Sequence, residues 1–297
     1  MSVQVEVVDL TLTYGSTVAV DDLSVTFEAG RIHGLLGRNG SGKTSLLSVI
    51  AGFRRATSGH VLIDGRPAFE DPGAMAATCL IRGSGDTVEH DWPGDRVRDA
   101  LKVAATLRPA WDEALAARLV ERFKLPENER LSQLSTGQRS SVGVVLGLAS
   151  RAPLTMFDES YLGMDAPSRY AFYEELLRDF IDHPRTFVIS THLIEEVSSL
   201  FEHVTIIDHG RRKMQADADT IRGRGATLTG SADVIDRVTR GQTVLSSKQL
   251  GPTKAVTVYG DLQHDVIEEA RSLGVEVGPA GLQDLFVHLT EPSEERV

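Results

Sequence analysis

The chain holds a single cysteine, Cys79, in 297 residues. One thiol makes no internal disulfide and no cysteine metal cluster, so the fold must be held by its core. Cys79 lies in the apolar run Cys79-Leu80-Ile81 and reads as a buried strand residue. Long apolar runs are also missing: none approaches the roughly 18 residues that span a bilayer. Met1 to Leu10 is acidic and strand-like, without the basic-then-apolar order of a signal peptide. A cytoplasmic chain is therefore expected. Basic residues are in the minority, 31 Lys and Arg against 42 Asp and Glu, for a net charge of -11. That balance speaks against a nucleic-acid partner, where a basic domain is the rule. Internal repeats and coiled-coil heptads are absent. What remains is ordinary, 41% hydrophobic and 25% charged, with length for one large α/β domain and a smaller one.

The most informative stretch is Gly37-Arg38-Asn39-Gly40-Ser41-Gly42-Lys43-Thr44. It fits G-x-x-x-x-G-K-[ST], a phosphate-binding loop. An apolar strand-like segment, 32–36, precedes it, and a helix-like segment beginning at Ser45 follows. Glycines let successive backbone N–H groups turn inward as a nest for phosphate oxygens. The helix that starts there aims its positive end at the same anion. Gly37, Asn39, Gly40, Ser41, Gly42, Lys43, Thr44 and Ser45 are thus candidate nucleotide contacts. Lys43 reaches the β- and γ-phosphates, and the Thr44 hydroxyl is a candidate Mg²⁺ ligand.

Hydrophobic patterning places strands at 3–8, 23–27 and 60–65, the last closing in an Asp64-Gly65 turn. Helical spacing follows between about 95 and 150: Val97, Ala100, Leu101 and Ala104, then Leu115, Leu119 and Phe123. Buried parallel strands are expected at 154–157, 186–190 and 204–208, the last ended by His209-Gly210. Alternating strands and helices imply a largely parallel sheet. Composition shifts after Gln215, and Arg222-Gly223-Arg224-Gly225 reads as a linker. Beyond it come a strand (226–229), a helix (231–239), strands (242–246, 254–259), a helix (262–272), a strand (274–277) and a final helix (282–289). That β-α-β-β-α-β order is ferredoxin-like. Residues from Glu291 onward read as a polar tail. The expected domains are 1–218, with a helical subdomain at about 85–150, and a small α+β domain at 219–297.

The strand at 154–157 runs into Asp158-Glu159. Ligands of such sheets meet the carboxyl ends of the strands. Asp158 is placed to hold Mg²⁺, and Glu159 to polarise an attacking water or take its proton.

Leu134-Ser135-Thr136-Gly137-Gln138 narrows the reading. Here the chain resembles the ATP-binding cassette (ABC) family, whose signature loop usually reads Leu-Ser-Gly-Gly-Gln. That loop precedes a helix and lies about twenty residues before the Mg²⁺-binding strand, and both relations hold. The resemblance covers roughly residues 3 to 215. It implies a P-loop nucleoside-triphosphatase sheet with an antiparallel β-subdomain and a helical subdomain. It also implies roles: His192 after Ser190-Thr191 as the switch histidine, Tyr14 as the ring stacked on adenine, and Asp165 in a loop that meets the opposite subunit. Ser135, Gly137 and Gln138 would contact ATP held by the other subunit. One departure stands out. The family's usual glutamine after the strand entering the helical region is missing from Leu80-Ile81-Arg82-Gly83-Ser84-Gly85; Arg82 or Ser84 takes its place. Serine rather than the frequent proline follows Glu159.

The family sandwiches two ATP molecules between two cassettes. A chain with a phosphate loop and a second anion site at Ser135 has a physical reason to pair: a twofold dimer gives each ATP both halves. The resemblance implies an ATPase on the inner face of a membrane, using ATP and Mg²⁺, paired with a second ABC subunit and with separate transmembrane permease subunits. The segment 281–289 is similar to the closing helix of bacterial exporter ATPases. The alternatives are a soluble non-transport ABC ATPase and an ATP-binding regulatory module.

Overall fold

A computed structural model describes residues 2–83, 96–260 and 264–290. The chain divides into two compact units, residues 1–192 with 207–212, and residues 193–206 with 213–297.

In the first unit, β1 (Val5–Tyr14), β2 (Thr17–Phe27), β3 (Ile32–Leu36), α1 (Lys43–Ile50), β4 (Ser58–Ile63) and β5 (Arg66–Pro67) come first. Buried residues alternate with more exposed ones along β1 and β2, broken at Asp9 and Asp22, and make them one-faced strands. They form an antiparallel sheet of order β2-β1-β4-β5. Its inner face (Val5, Val7, Leu23, Phe27) shares one core with Leu46 and Leu47 of α1 and with Met156 and Val188 further on. The Asp64-Gly65 turn closes the β4–β5 hairpin, both residues at positive φ (47° and 74°) as a tight turn requires.

Next come α2 (Pro72–Ala76), β6 (Thr78–Arg82), α3 (Val97–Leu107), α4 (Glu113–Arg122), α5 (Thr136–Ala149), β7 (Leu154–Asp158), α6 (Ala166–Asp182) and β8 (Thr186–Thr191). Cys79 is buried in β6 as expected. Along α3, Val97, Ala100 and Ala104 are buried while Leu101 is half-buried; along α4, Leu115 and Leu119 are buried, and Phe123 caps the helix end. Strands β6, β7, β8 and β3 pair in parallel, and β7 and β8 are buried along their whole length. Ion pairs tie α4 to α6: Arg118 with Glu175, and Arg122 with Glu174 at 2.7 Å.

The chain continues through α7 (Ile194–Val197), β9 (His203–Asp208), β10 (Arg211–Asp217), α8 (Ala218–Arg222), β11 (Gly225–Ser231), α9 (Ala232–Val238), β12 (Thr243–Leu250), β13 (Thr253–Tyr259), α10 (His264–Ser272), β14 (Glu276–Pro279) and α11 (Leu282–Thr290). The six-stranded sheet has the order β10-β9-β3-β8-β7-β6. His209-Gly210 ends β9 as expected and turns the chain into β10, an edge strand whose outward charges hide it from pattern analysis. One reading of the sequence is corrected. Residues 222–225 are not a free linker. Arg222 closes α8, Ile221 is fully buried, and Gly225 opens β11 opposite Tyr259.

Within the second unit, residues 225–279 have the expected β-α-β-β-α-β order. Its sheet runs β12-β13-β11-β14, with the three pairs antiparallel. Leu228, Ile235, Val256, Val258, Ala270 and Val275 form its core. Ser84 and Gly85, the first two residues of the helix expected at 262–272 and the tail from Glu291 lie outside the described residues.

Candidate nucleotide site

Parallel register sets the geometry. Leu36 lies opposite Thr191, Ser190 opposite Asp158, and Asp158 opposite Arg82. The carboxyl ends of β3, β8, β7 and β6 therefore finish at one level. The chemistry-bearing residues follow directly: the Gly37 loop after β3, His192 after β8, and Glu159 after β7.

The loop is built around an open helix start. Gly42, the residue before α1, has φ of 103°, and no side chain caps the first N–H groups. A Cβ there would strike the carbonyl oxygen of Ala19, so only glycine fits. The Gly210 N–H holds the loop from behind, donating to the Ser41 carbonyl at 2.9 Å. Lys43 bends back, its ammonium donating to the carbonyls of Gly37 (2.8 Å) and Arg38 (3.2 Å). A cavity of about 420 Å³ opens between the loop, Tyr14, Thr17–Ala19 and Glu159. The Ser41 hydroxyl is buried beneath the loop, where a Cβ on Gly37 would strike its oxygen, so Gly37 too must be glycine.

Asp158 is buried, and burial pushes its carboxyl up from the ordinary 3.8. The Ser190 and Thr44 hydroxyls bonded to it and the Lys43 charge pull it down, while neighbouring Glu159 pushes it up. A carboxylate and a hydroxyl converging on one point suit Mg²⁺, which takes one or two protein oxygens and completes its shell from phosphates and water. Among the described residues there is no cluster of three or more His, Cys, Asp or Glu side chains to hold a metal without such help. Glu159 stands at φ of 50°, a left-handed conformation uncommon outside glycine. Its Oε1 lies 3.1 Å from Lys43 Nζ and 3.2 Å from His192 Nδ1. One carboxylate oxygen thus gathers the loop lysine and the strand-end histidine.

The chain matches the ABC transporter family over residues 20–161. The ATP-binding protein YtrB of Bacillus subtilis (strain 168) is 25% identical over 97% of this chain and 96% of its own length. The daunorubicin resistance ATP-binding protein DrrA3 of Streptomyces coeruleorubidus is 25% identical over 93% and 92%. A solved structure described as the ATP-binding subunit of an ABC transporter shares the fold, with a TM-score of 0.65 at 24% identity over 73% of this chain and 91% of that one. Import ATP-binding proteins for spermidine/putrescine and for methionine also match, over 69% and 70% of this chain. The chain belongs to the ATP-binding cassette family.

As an ABC ATPase, it has a signature segment that is locally self-contained. Ser135 caps α5, its oxygen accepting from the Gln138 N–H at 3.2 Å, while Gln138 Oε1 accepts from the Ser135 N–H at 2.9 Å. Gly137 lies against the next loop: a Cβ on it would meet the Gly163 carbonyl at 2.8 Å. Asp165 caps α6, accepting from the Ser168 N–H at 3.0 Å, and bonds to Ser168 hold its carboxyl below the usual range. Ser135, Gly137, Gln138 and Asp165 do not wall the cavity around Lys43.

Tyr14 ends β1 on the cavity wall, 41% exposed. Arg82, one of two candidates for the missing glutamine, places its guanidinium 5.9 Å from the centre of the Phe53 ring. Three parts of the site had gone unread: Ser190 as a bond to Asp158, Gly210 as the brace behind the loop, and Arg54, whose guanidinium stands 5.4 Å from the centre of the Tyr14 ring. Register and tertiary contact join these to the site, and no local sequence signal announces them.

Proposed function

We propose that the chain is the ATP-hydrolysing subunit of a membrane exporter. It pairs with a second cassette and docks on separate transmembrane subunits at the inner face of the cell membrane. The observation that carries the pairing is a division within one chain. The cavity has the phosphate loop and Glu159, while the Ser135 hydroxyl and the start of α5 stand outside its wall. Ser135 spends an oxygen lone pair on its cap but keeps a proton to donate. A twofold partner brings that donor and the positive end of α5 to the γ-phosphate. ATP then closes the dimer, and hydrolysis removes the contact that closed it.

Within the cavity, the open N–H groups of the loop and the Thr44 hydroxyl bind the triphosphate. Its charge competes with Glu159 for Lys43. Released from that ion pair, Glu159 accepts a proton from the attacking water, and His192 keeps the carboxylate oriented. Thr44 and Asp158 would hold magnesium, which would supply positive charge against the triphosphate.

The docking reading rests on an apolar groove of about 430 Å³ beside β6, with Phe53, Met75, Ala104 and Leu107 on its walls. Phe53 and Leu107 are exposed. A groove of this kind takes the apolar face of a partner helix. No helix among the described residues is long and apolar enough to cross a membrane, so the spanning part is assigned to other chains. Export is favoured because the similarity to a drug-resistance protein runs through the second unit, whereas the import proteins match over about 70% of the chain. We assign 1–218 to the ATPase and 219–297 to an accessory α+β domain.

The test is light scattering on Glu159→Gln with and without ATP and Mg²⁺. The expected outcome is a dimer only with nucleotide. A monomer under both conditions would overturn pairing with an identical chain.

A further inference from the structure

We infer that Arg54 is a positioning residue for the nucleotide base, acting through Tyr14. The inference rests on the proposed role of Tyr14 as the base platform and adds to it a second layer.

The guanidinium of Arg54 stands 5.4 Å from the centre of the Tyr14 ring, within the roughly 6 Å at which a cation is held by a ring face. Tyr14 walls the nucleotide cavity and Arg54 does not. On this inference the cation lies on the ring face turned from the cavity, with the other face left for a base. A half-exposed tyrosine at a strand end would otherwise sample several rotamers and lose that freedom on binding. Arg54 fixes the ring beforehand. It also draws ring electron density to its own side, which favours stacking of an electron-rich purine on the other.

Arg54 is itself held in place. The loop that carries it leaves α1 with the Phe53 and Arg54 N–H groups donating to the Ser48 carbonyl at 2.9 and 3.2 Å. The Ser48 hydroxyl donates to the Thr44 carbonyl at 2.7 Å. Three residues on, the Thr57 N–H donates to the Thr11 carbonyl at 2.8 Å, and Thr57 Oγ1 accepts from the Thr13 N–H at 3.0 Å. One helix thus carries Thr44 and the phosphate site at its start and the brace for the base platform at its end.

Calorimetric titration of the full chain with ATP and with inorganic tripolyphosphate tests this. Arg54→Ala is expected to weaken ATP binding about two- to fivefold and leave tripolyphosphate binding unchanged. Arg54→Lys should recover part of the loss. In a Tyr14→Ala background, Arg54→Ala should add nothing. An equal loss for tripolyphosphate would make Arg54 a charge for the phosphates and overturn the inference. Tighter ATP binding by Arg54→Ala would mean the guanidinium occupies the surface the base needs, and would overturn it too, as would no change. The platform reading is judged separately. Tyr14→Ala should cost ATP affinity about fivefold or more, and unchanged affinity in that variant removes the platform itself.

Discussion

Helix α1 follows a glycine-rich loop and α5 carries Gly137 in its first turn, yet the two helix starts are finished in opposite ways. At α1, Gly42 offers no side chain, and the leading N–H groups are left uncapped beside a cavity. At α5, Ser135 and Gln138 satisfy each other's backbone N–H groups. A helix start leaves four N–H groups without intrahelical partners, and something must answer them. Where the chain supplies the answer, the helix stands alone. Where it withholds one, the answer is a ligand. The open end is thus ready for phosphate within a single chain. The closed end offers only what the cap leaves over, a hydroxyl proton, and in the proposed pairing that suits a weaker contact made and broken in each cycle.

This contrast can be broken by three measurements. The largest effect belongs to the open end. Lys43→Ala removes charge-assisted hydrogen bonds worth about 1.5–3 kcal/mol, so ATP affinity should fall by roughly tenfold to a hundredfold. Wild-type affinity in a titration would show that the loop does not bind through its lysine. Next is a crossed pair. Ser135→Ala should lower stability by about 0.5–2 kcal/mol, the usual worth of such a cap, and abolish ATP-dependent pairing while a single chain still binds ATP. Thr44→Ala should do the reverse, weakening Mg²⁺-dependent ATP binding with little change in the thermal midpoint. Identical profiles for the two variants would erase the distinction. The smallest effect concerns a third helix start. Asp112 caps α4, accepting from the Leu115 N–H at 2.8 Å and from Arg151 at 2.8 Å. The backbone bond first, then Arg151, holds its carboxyl below the ordinary 3.8. A lowered carboxylate contributes stability that is whole above its unfolded value and is lost as pH falls through the folded one. The gap in unfolding midpoint between wild type and Asp112→Asn should therefore close as pH falls below about 4; a constant gap would exclude ionisation as the cause.

Much of this site could be read in the sequence because its parts are local. The phosphate loop carries its strand, glycines and helix within some twenty residues, and Asp158-Glu159 ends an apolar run that is a buried strand on its face. The strands and helices of the second unit were also legible, since each shows its own period. What escaped depends on pairing. Ser190 meets Asp158 only because β7 and β8 run parallel in one register. Arg54 and Tyr14 are forty residues apart and join through a loop pinned by threonines. The edge strand β10 presents Arg211, Arg212 and Lys213 outward, so it has no alternation to detect. Glycine and arginine at 222–225 imitate a linker because composition cannot reveal that Ile221 is buried or that Gly225 is paired.

The ion pair between Lys43 and Glu159 has a consequence for idle running. On the proposed reading of Glu159 as the base, its carboxylate oxygen is already engaged by an ammonium at 3.1 Å and an imidazole at 3.2 Å. An oxygen so engaged is not free to meet a water. A polyanion that claims the lysine frees it, and on the same reading that polyanion is the molecule to be cleaved. Fuel and ignition are therefore the same event, and a weaker anion that fails to draw Lys43 away leaves the engine both loaded and off.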